Sequence, residues 1–259
     1  MNIMARFSLK GKVALMTGGA GLYGRQIVEA LAEAGAKTFM ASRNLAALKK
    51  VETFHRKRGK DVTALQYDQG EERSILSLRD QVLKAGGRID VLVNNSVLRP
   101  MQGAYQDKAE TFAESMKVNA TGLFIICRAF GDVMRKGGSI INIGSIQGLI
   151  GPEPANYRGT SMSGFYPDYF FHKGGMVNYT RFLASYYGSK GIRCNCIHPG
   201  GLKTEKMPAA FVRQYSEHTC LGRLADETDL QGIIVFLASD ASRYITGTNI
   251  PVDGGYTAK

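Results

Sequence analysis

The sequence predicts an α/β protein with one doubly wound Rossmann-type domain, a seven-stranded parallel sheet carrying helices on both faces. Short apolar, β-branched segments alternate with longer helical ones along the whole chain, as in repeated strand–helix units. The first strand runs directly into a glycine-rich turn. No linker or internal repeat divides the 259 residues, so we assign residues 1–259 to a single domain.

The alternation assigns each element in order. Strands are predicted at 13–17, 38–42, 62–67, 91–93, 139–143, 192–197 and 249–252. Helices are predicted at 22–34, 45–56, 71–85, 111–135 and 169–187. Gly35 closes the first helix and the pair Gly137 and Gly138 closes the fourth, because glycine is favoured just past a helix end. Residues 148–167 are rich in Gly, Pro and Ser and are predicted to form a long loop.

Composition argues against several classes of protein. Hydrophobic residues make up 44% of the chain, so a large core is expected and disorder is not. No apolar run reaches the roughly 18–20 residues that span a bilayer, and the N-terminus lacks a signal-peptide core, so a cytoplasmic protein is expected. The net charge is +11, but Lys and Arg are scattered apart from residues 56–58. An anionic cofactor or substrate therefore explains the charge better than nucleic acid.

The four cysteines indicate neither disulfides nor a metal site. A disulfide framework is not expected in a chain of this length. Cys194 and Cys196 alternate along a predicted strand, which places both thiols on one face. No second Cys or His pair has ligand spacing, so no metal is predicted.

The glycine-rich turn spans residues 17–25, TGGAGLYGR, between the first strand and the first helix. Glycines permit a tight turn and let backbone N–H groups approach a pyrophosphate, and the helix N-terminus adds its partial positive charge. An ordinary turn is the alternative. The predicted cofactor-binding residues here are Gly18, Gly21, Leu22, Tyr23 and Gly24.

The end of the second strand bears on the choice of cofactor. A carboxylate at this position would accept hydrogen bonds from the ribose of NAD, but residues 40–44 read MASRN. Ser42 can donate a hydrogen bond and Arg43 can pair with a 2′-phosphate. NADP(H) is therefore favoured, and NAD(H), with Arg43 as a plain surface residue, is the alternative.

Tyr169 and Lys173 form a candidate acid–base pair. Residues four apart lie on one face of a helix. A free tyrosine has a pKa of about 10, and a nearby cation favours the phenolate, so such a pair can exchange protons near neutral pH. A surface lysine beside a half-buried tyrosine would show the same spacing, so the other motifs decide whether this pair is catalytic.

Together these motifs resemble those of the short-chain dehydrogenase/reductase family, in its compact single-domain branch, from about Leu9 to Tyr256. Besides the turn and the Tyr169/Lys173 pair, the matching positions are Asp68, NNS at 94–96, Asn119 in KVNA at 117–120, Ser145, PGGLKT at 199–204 and the ending at 245–255.

The resemblance implies four catalytic roles. Tyr169 would be the acid/base, and Lys173 would lower its pKa and hold the nicotinamide ribose. Ser145 would hydrogen-bond the substrate oxygen and stabilise the charge that develops there. Asn119 would support a relay water and the lysine.

The resemblance also implies cofactor contacts outside the glycine-rich turn. Asp68 would lie near the adenine, Asn95 near its ribose and Thr204 near the nicotinamide amide. Pro199 and Gly200 belong to the same motif as Thr204 and are expected to contact the cofactor too.

Two departures from the family pattern stand out. Leu22 occupies the usual middle-glycine position and Gly21 precedes it, a spacing that resembles the extended branch, whose members often act on sugar nucleotides. Ser145 and Tyr169 are 24 positions apart, farther than is usual, which predicts an active-site insertion within residues 148–167. Loops at this edge of such sheets carry specificity.

The long gap raises the question of which tyrosine is catalytic. Tyr157 stands at the usual distance from Ser145, but Ser161 follows it four residues on. Tyr166 is followed by a phenylalanine at that spacing, so only Tyr169 has its lysine. Tyr157 is expected to line the substrate pocket or to pack within the loop.

The implied reaction is hydride transfer between nicotinamide and a secondary alcohol or ketone. Three features favour a sugar, sugar acid or polyol as substrate, as in gluconate or sugar dehydrogenases: the insertion, the glycine spacing and the basic residues near the predicted mouth of the pocket. If several of these basic side chains face the pocket, they would suit an anionic substrate. These basic residues are Arg99, Arg158, His172, Lys203 and Lys206. A 3-oxoacyl thioester reductase is the enzymatic alternative, and a non-catalytic NADP-binding regulator is the alternative of another class.

Two further expectations follow from the resemblance. The segment 245–256 corresponds to a part of the family that builds a symmetric interface, so a homotetramer is expected. Residues 205–222 correspond to the family's substrate loop and are expected to act as a lid.

Overall fold

A computed structural model describes residues 2–259; Met1, the first residue of the predicted domain, lies outside the described residues. Seven strands form one sheet: β1 (Val13–Thr17), β2 (Lys37–Ser42), β3 (Val62–Gln66), β4 (Val91–Asn94), β5 (Ser139–Ile143), β6 (Arg193–Pro199) and β7 (Asn249–Val252). Their order is β3-β2-β1-β4-β5-β6-β7, and every neighbouring pair is parallel. The predicted fold class is confirmed.

Eight α-helices accompany the sheet in the described part of the chain: α1 (Leu22–Glu33), α2 (Leu45–Arg56), α3 (Glu72–Gly86), α4 (Ala109–Met116), α5 (Gly122–Gly131), α6 (Pro167–Gly188), α7 (Ala209–His218) and α8 (Gln231–Ala238). One apolar core joins the sheet to α3, α5 and α6, and a second core joins its other face to α1, α2 and α8. No helix within residues 2–259 has both the length and the apolar character needed to cross a membrane.

The central strands are continuous apolar runs because both faces of the sheet are covered. Successive side chains point to opposite faces, so Leu15 packs into the core with α3, α5 and α6, while its neighbours Ala14 and Met16 pack into the other core. This burial fixes the register of β1 and therefore the position of the glycine-rich turn that follows it.

The predicted helix at 111–135 is wrong at its C-terminal bound and in its regularity. The helical run continues from α4 through a π-helical turn at Lys117–Thr121 into α5, and it ends at Gly131. Tight turn bonds from Val133 and Met134 back to Phe130 close it several residues early. The π-turn matters because it contains Asn119, and such turns are frequent at functional sites.

Residues 205–222, which correspond to the predicted substrate loop, contain helix α7. Phe211 and Tyr215 lie four residues apart on that helix and are buried in a small third core with Ile146, Leu224 and Tyr256. This spacing of apolar side chains stabilises a helix against the domain. Helix α8 was not predicted from the sequence; it packs against α1 and β5.

Candidate active site

The candidate residues follow the strands at one edge of the sheet. In a parallel sheet all carboxyl ends meet at the same edge, where ligands bind. The glycine-rich turn follows β1, Asp68 comes after β3, Asn95 after β4 and Ser145 after β5. Pro199 is the last residue of β6. The topology therefore gathers these predicted residues along one edge.

The glycine-rich turn has the close packing that a pyrophosphate cradle requires. Gly18 has φ of +77° and donates its N–H to the carbonyl of Ala41 at 2.7 Å. A Cβ on Gly24 would lie 2.1 Å from the Gly18 carbonyl oxygen, so only glycine fits there. No side chain among the described residues caps α1 at Gly21, so its first-turn N–H groups can face an anion. The residues present fit a dinucleotide phosphate.

Leu22 and Tyr23 are the first two residues of α1, and Leu22 stands at the unusual position of the turn. The Leu22 side chain is 66% exposed where the family commonly has a glycine. The Tyr23 hydroxyl donates a hydrogen bond to the carbonyl of Gly200 at 2.7 Å. Burial raises the pKa of Tyr23, which keeps this hydroxyl a donor. The two cofactor motifs are thereby joined by a side chain.

At the predicted adenosine end of the cofactor site, Asp68 and Asn95 are held by hydrogen bonds, whereas the Arg43 side chain is exposed. Asp68 accepts a hydrogen bond from the N–H of Gly70 at 2.9 Å. The Asn95 amide donates to the carbonyls of Thr17 (3.1 Å) and Gly18 (3.3 Å), so it holds the glycine-rich turn in place. Arg43 is exposed, and its guanidinium forms no ion pair within residues 2–259.

The segment that follows β6 is the predicted nicotinamide end of the cofactor site. The N–H of Gly200 donates to the carbonyl of Val252 at 3.0 Å, and a Cβ on Gly200 would approach the backbone of Asp253 to 3.1 Å. Thr204 is half-buried, and its carbonyl accepts a bond from the N–H of Met207 at 3.1 Å, just before α7.

Tyr169 and Lys173 lie one turn apart at the beginning of α6. The Lys173 Nζ is 5.7 Å from the centroid of the Tyr169 ring. It donates to the carbonyl of Ile143, the last residue of β5, at 2.5 Å, and the lysine is only 4% exposed. Burial lowers the pKa of Lys173, although the nearby Tyr169 opposes that effect. The ammonium group is therefore held between the tyrosine and the end of β5.

Ser145 is positioned by two contacts with its surroundings. Its hydroxyl accepts a hydrogen bond from the N–H of Gln147 at 3.2 Å, in a 3-10 turn at Ile146–Gly148. This turn packs directly on α6, since a Cβ on Gly148 would lie 2.6 Å from the Lys173 carbonyl oxygen. The turn thereby packs the residues that follow Ser145 against the N-terminal part of α6.

A buried histidine, His198, contacts the backbone of Ser145 and was not identified from the sequence. The Nδ1 atom of His198 is 2.9 Å from the carbonyl oxygen of Ser145, and its Nε2 atom is 2.8 Å from Oδ1 of Asn249 in β7. His198 directly precedes Pro199 of the cofactor motif, which is the signal that could have drawn attention to it.

Asn119 lies at the centre of a hydrogen-bonded network. Its side chain bonds to the backbone of Leu98 and donates to the Ser115 hydroxyl at 3.0 Å. The Ser115 hydroxyl donates in turn to Asp168 Oδ2 at 2.5 Å. Asp168 is 2% exposed and immediately precedes Tyr169, the position that could have revealed it in the sequence. The network links the π-turn to the first turn of α6.

A cavity of about 420 Å³ opens beside Tyr169. It is lined by Arg99, Met101, Gln102, Gln147, Tyr157, Ser161, Met162, Ser163, Gly164, Tyr166, Asp168 and Tyr169. Residues of the long 148–167 segment thus border the candidate acid/base. Tyr157 lies here with its ring against Gly164, where a Cβ would come within 2.3 Å of it.

His172, one of the basic residues placed near the predicted mouth, is buried and adds no positive charge there. His172 is 5% exposed, and neither ring nitrogen has a hydrogen-bond partner among the described residues. Burial, reinforced by the charges of Lys173 and Arg99, lowers its pKa to about 3. The imidazole is therefore neutral, with its ring 5.2 Å from that of Tyr169.

The other predicted basic residues divide into two groups. Arg99 lines the cavity, with its guanidinium carbon 4.2 Å from the centroid of the Tyr169 ring. Arg158, Lys203 and Lys206 are exposed and do not line this cavity. Within residues 2–259, no three His, Cys, Asp or Glu residues lie together in a way that could hold a metal ion.

Comparison with known proteins gives one family model and many relatives. The model described as enoyl-(acyl carrier protein) reductase matches residues 21–257. The galactitol 2-dehydrogenase (L-tagatose-forming) of Cereibacter sphaeroides is 30% identical, over 99% of both chains. A 3-oxoacyl-acyl-carrier-protein reductase of Vibrio cholerae is also 30% identical, over 96% of this chain and 98% of its own.

A solved structure provides the third comparison. The gluconate 5-dehydrogenase of Burkholderia cenocepacia, in complex with NADP and tartrate, superposes with a TM-score of 0.85 at 27% identity and covers 100% of both chains. These proteins match this chain over nearly their full length, while the substrates in their names differ.

Proposed function

Since this chain belongs to the short-chain dehydrogenase/reductase family and is an alcohol/ketone oxidoreductase of nicotinamide-cofactor type, we propose that it acts on a sugar, sugar acid or polyol. The polar cavity beside Tyr169 carries this proposal. Hydroxyl and amide groups of Gln147, Ser161 and Ser163 border it, and such groups suit a polyhydroxylated ligand. The named activities of the galactitol and gluconate dehydrogenases support the same class.

The proposed catalytic residues are Tyr169, Lys173, Ser145 and Asn119. A bound nicotinamide cofactor supplies or accepts the hydride. Tyr169 gives the substrate oxygen its proton during reduction and removes it during oxidation, and the buried Lys173 favours the charged state of the tyrosine. Ser145 donates a hydrogen bond to the same oxygen, and Asn119 fixes the surrounding backbone.

The proposed cofactor is NADP(H), held by the turn from Gly18 to Gly24, by Asp68 and Asn95, and by the segment from Pro199 to Thr204. The exposed Arg43, beside Ser42 at the end of β2, supports a 2′-phosphate contact.

Arg43→Gln should raise the KM for NADPH and leave the KM for NADH nearly unchanged. Lys50→Gln, an exposed cation on α2, is the matched control. A marked preference of the wild type for NADH would overturn this proposal.

The second candidate is a 3-oxoacyl thioester reductase, which the Vibrio cholerae relative favours. A panel of sugar acids, alditols and 3-oxoacyl thioesters, assayed with both cofactors, separates the two. We expect turnover of the polyhydroxylated compounds. Activity on acyl thioesters alone would refute our preference. The family relatives support an enzyme over the non-catalytic regulator.

We also propose a cytoplasmic homotetramer that acts in carbohydrate metabolism, with residues 205–222 as its substrate lid. An exposed aromatic stripe on α6 supports an assembly face, since Phe171, Phe182 and Tyr186 are each more than half exposed. Light scattering should give the mass of four chains, and Phe182→Glu should lower it. A monomer mass for the wild type would contradict the assembly.

A further inference from the structure

Arg99 is the only cationic side chain among the residues that line the cavity. Its guanidinium carbon lies 4.2 Å from the centroid of the Tyr169 ring and 5.9 Å from that of Tyr166. A guanidinium over the face of a tyrosine is held by cation–π attraction. The charge is thereby fixed beside the residue proposed to contact the reacting oxygen.

The backbone that carries Arg99 is also fixed. The preceding residue, Leu98, has both its N–H and its carbonyl bonded to the Asn119 side chain, at 2.8 and 2.7 Å. The following residue, Pro100, has a restricted φ. Arg99 thus projects from a braced loop, and little further ordering would be needed for it to hold a ligand.

The charge of Arg99 has no protein counterion in the part of the chain that the structure describes. Within residues 2–259 its guanidinium forms no ion pair. The one carboxylate on the cavity wall, Asp168, is buried and bonded to Ser115. Arg99 is exposed, and its charge contributes to the lowered pKa values of His172 and Lys173.

We infer that Arg99 binds a carboxylate of the substrate close to the reacting carbon, so that the enzyme prefers sugar acids over neutral polyols. This inference rests on the proposed sugar and polyol function. A planar guanidinium matches a carboxylate through two parallel hydrogen bonds. A single cation balances the single negative charge of a carboxylate, and its place over the Tyr169 ring puts that group near the carbon to be oxidised or reduced.

Kinetics on a matched pair of substrates test the inference. D-gluconate and D-glucitol differ chiefly in the carboxylate at one end. We expect the wild type to favour gluconate, and Arg99→Gln to lower kcat/KM for gluconate by about 10- to 100-fold more than it lowers kcat/KM for glucitol, since any effect of Arg99 on Tyr169 is common to both substrates. Arg99→Lys should retain part of the preference, because it keeps the charge but loses the planar fork. Arg158→Gln, which removes an exposed cation of the 148–167 insertion that does not line the cavity, should match the wild type.

Calorimetric binding of gluconate to the enzyme with saturating NADPH provides a readout that does not depend on turnover. We expect Kd to rise about tenfold or more in Arg99→Gln and to stay constant in Arg158→Gln. The inference would be overturned if Arg99→Gln lowered kcat/KM equally for gluconate and glucitol. It would also be overturned if Arg99→Gln left the Kd for gluconate unchanged. Turnover restricted to acyl thioesters would instead overturn the proposed function, and the gluconate Kd would still decide whether Arg99 is an anion site.

Discussion

Asn119 and Leu98 are joined by two hydrogen bonds. The N–H of Leu98 donates to Oδ1 of Asn119 at 2.8 Å, and Nδ2 of Asn119 donates to the carbonyl of Leu98 at 2.7 Å. One side chain in the π-turn thus replaces the pairing that a strand neighbour would give to the loop after β4. The same amide group reaches Ser115, and through it Asp168 at the beginning of α6.

Removal of this amide should impair both stability and activity. In Asn119→Ala, Leu98 loses both partners, which should lower the free energy of unfolding by about 1–3 kcal/mol. We expect kcat/KM to fall at least about tenfold, because the loop before Arg99 is released. Thr121→Ala, an exposed change in the same π-turn, is the control for denaturant unfolding and steady-state kinetics. Wild-type values for Asn119→Ala would show that the bonds are dispensable.

The two tyrosines at the cavity should respond differently to loss of their hydroxyls. Tyr169→Phe should reduce kcat by about 10²- to 10⁴-fold, since the proposed acid/base is removed. Tyr157→Phe should retain much of the activity, because its ring still packs on Phe211 at 5.5 Å between centroids. Steady-state assays of both variants decide the assignment, and the opposite ranking would refute it.

Gly24 should be intolerant of any side chain. A methyl group there would lie 2.1 Å from the Gly18 carbonyl oxygen, so Gly24→Ala must displace the turn from its place at the head of α1. We expect NADPH affinity, measured by fluorescence titration, to fall at least about tenfold. Gly232→Ala on α8, which meets no atom within 4 Å, should bind normally and gain up to about 1 kcal/mol of stability. Equal NADPH affinities in Gly24→Ala and Gly232→Ala would contradict the prediction that the glycine-rich turn binds the pyrophosphate.

His172 should make the protein less stable in acid. Its pKa is about 3 in the folded protein, against 6.5 ordinarily, so between these values only the unfolded chain takes up the proton. The free energy of unfolding should therefore decrease as the pH falls from about 6.5 towards 3, with a contribution of about 1.4 kcal/mol per pH unit.

His172→Phe should remove this contribution. The phenyl ring keeps the edge-on contact with Tyr169 and leaves no unpaired nitrogen. Denaturant unfolding at several pH values should give a shallower acid dependence in the variant, whereas His218→Gln, on the half-buried face of α7, should follow the wild type. Parallel curves for wild type and His172→Phe would rule out the buried imidazole as the cause.

Most of the fold follows from local pattern in the sequence. The apolar strands and the glycines after them carry their own signals, so the bounds of β1 and of the glycine-rich turn agree with the structure. Helix α7 could not be predicted this way, because Phe211 and Tyr215 become a helical face only when Ile146 and Tyr256 pack against them. The early end of α5 was also missed, because the turn bonds back to Phe130 that close it have no signal as clear as a glycine.

The sequence by itself determined the fold class and the order of motifs, because strand burial and glycine-rich turns are properties of short segments. Only the tertiary structure decided which charges are present at the site. His172 and Arg99 are both basic in the sequence, yet burial makes the imidazole neutral while the guanidinium faces the cavity. Desolvation and charge pairing depend on neighbours distant in the chain, and no local pattern encodes them.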